Sequence, residues 1–164
     1  IPKQTKLTLI MLGGYPNEIA ILGYLQQFKR HIKKQEHLIC IFCNFGLNDS
    51  MPLITKIFSL VEKCPDFPKN LTILPLTYQE DPVITPLLRR ADATITRAGG
   101  LTCMELLSVS NGFSWIHQES HKSTSTGACM PIWERGNAHY LQEKMGAQFI
   151  TPESFSTVTE GFFL

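Results

Sequence analysis

Apolar positions along the chain alternate between two spacings, and that alternation predicts the architecture. Lys6 to Leu12 is a short apolar run closed by Gly13-Gly14 and Pro16. Beyond it Ile21, Leu22, Leu25, Phe28 and Ile32 recur three or four residues apart, the spacing of one helix face. The pair reads as strand, glycine turn, helix. His37 to Cys43 repeats the scheme as a buried strand, Ser50 and Pro52 mark a helix start, and Leu53, Ile54, Ile57, Leu60 and Val61 carry the stripe to Cys64-Pro65. A third strand is predicted over Leu71 to Leu74, then a short helix entered at Thr85-Pro86 and ending at Arg89-Arg90. Ala93 to Thr96 is the fourth strand, and Gly99-Gly100 precede a helix from Leu101 to Val109 that turns Leu101, Met104, Leu106 and Leu107 inward. Phe113 to His117 supplies the fifth strand and residues 118–130 a polar, aperiodic, mobile surface loop. Glu134 to Met145 is the last helix, with Gly146 in the capping place, and Gln148 to Ile150 the sixth strand. Strands that are apolar throughout, each followed by a helix, predict a doubly wound parallel α/β sheet covered on both faces, a Rossmann-like domain spanning 1–164.

Composition narrows the function. With 164 residues and 43% of them hydrophobic, the chain can build a sizeable core, which excludes disorder. Fifteen Lys plus Arg against fourteen Asp plus Glu leave a formal charge of +1, without the cationic excess that neutralises a run of phosphates, so no nucleic-acid partner is expected. No window reaches the ~18 consecutive apolar residues of a transmembrane segment, and Ile-Pro-Lys-Gln at the start does not read as a leader. Cysteines at 40, 43, 64, 103 and 129 form no paired framework. Cys40 and Cys43 lie in a strand, where residues three apart face opposite sides, and so read as buried core thiols rather than a redox or zinc pair. This usage points to a reducing compartment, the cytoplasm. The start at Ile1 and the apolar end Phe162-Phe163-Leu164, expected to be exposed, read as those of a fragment or a processed chain.

Ligands of open parallel sheets sit beyond the carboxyl ends of the strands. Two loops there carry double glycines, Gly13-Gly14 and Gly99-Gly100, each directly before a predicted helix. Glycine lets backbone approach a bulky anion, and a helix N-terminus favours negative charge, so a diphosphate suits either turn. Glu105, about one turn into the second helix, is placed to accept hydrogen bonds from a ribose diol. The structural alternatives are glycines kept for turn geometry and a carboxylate kept for the helix dipole.

The segment Arg97-Ala98-Gly99-Gly100-Leu101-Thr102-Cys103-Met104-Glu105 resembles the nucleotide-binding loop and helix of GT-B glycosyltransferases, in particular the peptidoglycan N-acetylglucosaminyltransferases and the monogalactosyldiacylglycerol synthases. Glu134-Arg135-Gly136-Asn137-Ala138-His139-Tyr140-Leu141, ending in Lys144-Met145-Gly146-Ala147, is similar to a Gln-Glu-x-Gly-Asn stretch of the second group, and Gly13-Gly14 matches the first glycine loop in order. The resemblance implies the C-terminal, donor-binding half of that fold and transfer of a hexose or N-acetylhexosamine from a UDP-sugar. It further implies that the donor is a substrate, with no cofactor and no metal. Gly99, Gly100 and Leu101 would offer backbone N–H groups to the diphosphate, Glu105 would hold the ribose, Glu134 would touch the sugar and Asn137 would support the site. Asn17, Arg97 and His117 are further candidates, and no catalytic residue is expected in this chain. The acceptor would lie on an N-terminal domain or a partner subunit, and the whole protein could be peripheral to a membrane. A nucleotide-sugar 2-epimerase of the same fold and a non-catalytic nucleotide-sugar-binding subunit are the alternatives. The sequence departs from the family where Trp133 replaces the glutamine before Glu134, where Ser110-Asn111-Gly112 replaces a proline, and in the length of 118–130.

Overall fold

In the computed structural model, which describes residues 1–13, 17–32, 34–43, 47–77, 79–119 and 130–163, with backbone alone for 47–50, six apolar runs pair as six strands. They are β1 (Lys6–Met11), β2 (His37–Phe42), β3 (Leu71–Leu76), β4 (Ala93–Thr96), β5 (Phe113–His117) and β6 (Gln148–Ile150). Every pairing is parallel, and the order is β3-β2-β1-β4-β5-β6, so strand order reverses between β1 and β4. The helices are α1 (Glu18–His31), α2 (Leu47–Glu62), α3 (Asp81–Arg90), α4 (Gly100–Val109), α5 (Ile132–Met145) and the short α6 (Phe155–Val158), followed by a 3-10 turn, Glu160–Phe162.

The sheet is apolar on both faces because both are covered. On one face Ile10, Ile39, Ile41, Ile95 and Trp115 pack against Tyr24, Leu25 and Phe28 of α1, Leu53 and Ile57 of α2, and Phe155 of α6. On the other, Leu7, Leu9, Cys40 and Ile116 meet Ile84 and Leu88 of α3, Cys103 and Leu106 of α4, and Ala138 and Leu141 of α5. Cys40 and Cys43 fall on opposite faces as their spacing required, and burial pushes both thiols up to about 11.

Several boundaries differ from the sequence reading. The second helix begins at Leu47, and Pro52 lies inside it. A proline forfeits one backbone hydrogen bond, which the burial of Leu53 and Ile57 offsets. The third helix begins at Asp81 with Pro82 in its first turn, so Pro86 is an interior residue rather than the entry. β3 continues through Pro75 to Leu76, tolerable on an edge strand whose outer side needs no donor. Leu101 and Met104 are exposed, not inward, because Cys103 and Leu106 take the sheet side of α4. Most of the expected loop, 120–129, lies outside the described residues.

Phe162 corrects another expectation. It is 3% exposed, with its ring edge-to-face on Trp115 at 5.1 Å, and Lys6 Nζ donates to its carbonyl. Phe155 and Phe28 meet at 4.8 Å on the same side, so the segment after β6 is a strap that returns along α1 to the start of β1. Gly112 enters β5 where no side chain fits: a Cβ there would stand 2.4 Å from the Ala91 carbonyl oxygen.

Candidate functional site

Parallel strands bring every strand-to-helix turn to one edge of the sheet. The turn from β4 to α4, described throughout, leaves helix N–H groups without intrahelical acceptors. Gly99 caps α4 with extended backbone and no side-chain hydrogen bond. The first intrahelical bond runs from Cys103 N–H to the Gly99 carbonyl, so the N–H groups of Gly100, Leu101 and Thr102 have no intrahelical acceptor. A Cβ at Gly99 would meet nothing within 4 Å, and one at Gly100 would reach only Asn137 Nδ2 at 4.0 Å. Among the described residues the approach to these donors is open. Asn137 donates from Nδ2 to the Ala98 carbonyl at 3.0 Å and so holds the loop in place from α5.

Glu105, in the second turn of α4, is half-buried; that burial, and then the nearby charge of Asp81, hold its carboxyl above the usual carboxylate range. A partly desolvated carboxylate forms stronger hydrogen bonds to hydroxyl donors than a solvated one.

Arg97 and Glu134 face each other. The guanidinium donates from Nε to Oε2 at 3.2 Å and from Nη2 to Oε1 at 3.0 Å, a bidentate pair with the carboxylate only 12% exposed. Both residues expected to meet a ligand thus first neutralise one another. Glu134 lies in the first turn of α5, where the dipole also favours it.

The β1 turn is different in kind. Gly13 has φ +88°, the left-handed conformation that lets the chain leave the strand sharply, whereas Gly14 lies outside the described residues. Asn17 caps α1, its Oδ1 accepting from Ala20 N–H at 3.1 Å. Its Nδ2 donates to Glu119 Oε2 at 2.7 Å. The end of α1 therefore already holds a carboxylate from the protein, and the two glycine turns are not equivalent.

His117 ends β5 3% exposed. Its Nδ1 is 2.7 Å from the Tyr24 hydroxyl, which also lies 3.2 Å from the Ile150 carbonyl. Its Nε2 is buried without a hydrogen-bond partner and faces Glu119 Oε1 at 3.5 Å. Burial lowers the imidazole pKa, against the pull of Glu119 and with the push of Arg97. Sequence reasoning missed Glu119 and Tyr24. Glu119 had a signal, since a polar residue two positions beyond a strand end must stand on the carboxyl edge; Tyr24 had none, being one of several apolar residues on α1.

A cavity of about 640 Å³ lies at the opposite, amino edge, lined by Lys6, Asp92, Gly112, Phe113 and Gln148 among others. Two of the three cations that line it, Lys6, Arg89 and Arg90, are already engaged: Arg90 donates to Asp92 and to the Thr5 carbonyl, and Lys6 to Phe162. The chemistry gathers at the other edge. Among the described residues no three His, Cys, Asp or Glu side chains are grouped to hold a metal ion, and no helix is long and apolar enough to cross a membrane.

No family model and no curated protein matches the chain. Among solved structures, the crystal structure of Acinetobacter baumannii MurG matches it with a TM-score of 0.63 and 18% identity, over 100% of this chain and 43% of that one. The fold is that of the MurG C-terminal domain. The chain spans less than half the length of that structure, and at such identity the likeness with MurG is one of fold. The β4–α4 turn, Arg97–Glu134 and Asn17–Glu119 lie at the carboxyl edge of the sheet, the edge at which open parallel sheets receive ligands.

Proposed function

We propose that this chain is the donor-binding half of a UDP-sugar-dependent glycosyltransferase, transferring a hexose or N-acetylhexosamine to an acceptor held by another domain or subunit. The observation that carries the reading is the uncapped N-terminus of α4 behind Gly99-Gly100, open to approach, with Glu105 one turn further on. A diphosphate placed there receives the N–H groups of Gly100, Leu101 and Thr102, and the helix dipole stabilises the charge that develops on it as the sugar leaves. The ribose hydroxyls of the same nucleotide donate to Glu105. Asn137 keeps the Ala98–Gly99 backbone in the receiving conformation, and Arg97 fixes Glu134 beside the sugar.

Isothermal titration of the chain with UDP tests this. Glu105→Ala is expected to weaken UDP by about 10- to 100-fold, the equivalent of roughly 1.5–3 kcal/mol for hydrogen bonds to a charged group. An unchanged affinity would remove the ribose from this position. The chain alone is expected to bind without transferring, since transfer also needs a base within ~2.6–3.2 Å of an acceptor hydroxyl. Acceptor-dependent turnover by the isolated chain, followed with radiolabelled UDP-sugars, would overturn that expectation.

A further inference from the structure

We infer that Glu119 is a specificity-determining residue of the same site, a carboxylate that accepts hydrogen bonds from hydroxyl groups of the donor's sugar. The inference rests on the donor reading above and adds to it a residue from outside both glycine motifs. Glu119 stands at the carboxyl edge, just past β5, and is joined to the β1 turn by the 2.7 Å bond from Asn17 Nδ2 to Oε2. Its other oxygen faces the buried, unpartnered Nε2 of His117 at 3.5 Å. Nδ1 of the same ring lies 2.7 Å from the Tyr24 hydroxyl, which donates to the Ile150 carbonyl at 3.2 Å. Asn17 thus orients Glu119 from the start of α1, and the Glu119 side chain keeps 28% of its surface open.

Charge decides what it meets. Among the described residues no Lys or Arg pairs with Glu119: Arg97 is taken by Glu134 through two hydrogen bonds, and burial lowers the pKa of His117, which has Glu153 near it as well as Glu119. A phosphate is repelled from such a place and goes to α4. A sugar ring is uncharged and rich in donors, which is what an ionised, acceptor-only group requires. The phosphate and the sugar are sorted by sign: bare N–H groups at one turn, oriented carboxylates at the next.

The test is titration of the whole chain with UDP, UDP-glucose and UDP-N-acetylglucosamine, comparing wild type with Glu119→Ala and Glu119→Gln, each checked for folding by its thermal melt. Glu119→Ala is expected to weaken at least one UDP-sugar by about tenfold while moving UDP by less than about twofold. Glu119→Gln, nearly isosteric, is expected to fall between the two and answers the question if the alanine variant does not fold. Equal loss for UDP and UDP-sugars, or tighter binding of both, would overturn the inference, the latter showing Glu119 to be only an internal counter-anion for α1. Wild type binding UDP but no UDP-sugar more tightly would overturn it as well. Wild type binding none of the three would overturn the donor reading itself, and this inference with it.

Discussion

His37 shows what one buried side chain does to the pH dependence of the whole fold. It sits at the start of β2 under Phe28 and Phe162, with Nε2 2.9 Å from Thr8 Oγ1. Burial, and then the charge of Lys6, lower its pKa to about 4. The unfolded chain takes up this proton near pH 6.5 and the folded one does not, so the contribution is complete above 6.5 and is lost as pH falls toward 4, up to about 3 kcal/mol. Urea melts between pH 7 and 4.5 are expected to show that slope, flattened in His37→Gln. Two glycines make a second contrast at the same scale. Gly112→Ala places a methyl 2.4 Å and 2.6 Å from the Ala91 and Asp92 carbonyl oxygens and is expected to cost about 3 kcal/mol in chemical denaturation. Gly99→Ala meets nothing, so its melting point is expected to stay close to wild type while UDP affinity falls, because the methyl intrudes on the approach to α4. A Gly99→Ala variant that binds UDP normally would show that the diphosphate does not come so close.

At the scale of elements, the sequence was most informative where a run was short and sharply bounded. β4, β5 and β6 have the limits their apolar runs indicated, because Asp92, Gly112 and Gly146 bound them. α4 was harder to read: Leu101, Cys103, Met104, Leu106, Leu107 and Val109 put apolar groups on every side, so periodicity could not fix which face meets the sheet. The structure settles it with Leu101 and Met104 outside at 76% and 63% exposure. Leu101→Gln and Met104→Gln are therefore expected to change stability by less than ~0.5 kcal/mol, whereas Leu106→Ala costs about 2–5 kcal/mol; reversed magnitudes would mean that α4 is rotated. The candidate site divides in the same way. The glycine turns and Glu105 are local and were legible. The pairs that organise them, Arg97 with Glu134, Tyr24 with His117 and Asn17 with Glu119, are separated by 37, 93 and 102 residues, and only the order of strands in the sheet brings them together.

For the molecule as a whole, that order divides the core into two layers that share the sheet and little else. The strap from Phe155 to Phe163 belongs to one of them, and Phe155→Ala is expected to cost about 3–5 kcal/mol by denaturant titration, since its ring is fully buried against Phe28 and Trp115. Three residues apart on one strand and its exit, Cys40 is sealed beneath α3, α4 and α5, together with Cys103, while Cys43 is sealed beneath α1 and α2. Each thiol is almost inaccessible and resists ionisation, so a thiol reagent can reach it only when the layer above it lifts. The protein consequently carries a reporter for each side of its own sheet. The relative rates at which Cys40 and Cys43 are labelled, read by peptide mass spectrometry, amount to a comparison of how often the two sides breathe, with and without a nucleotide bound.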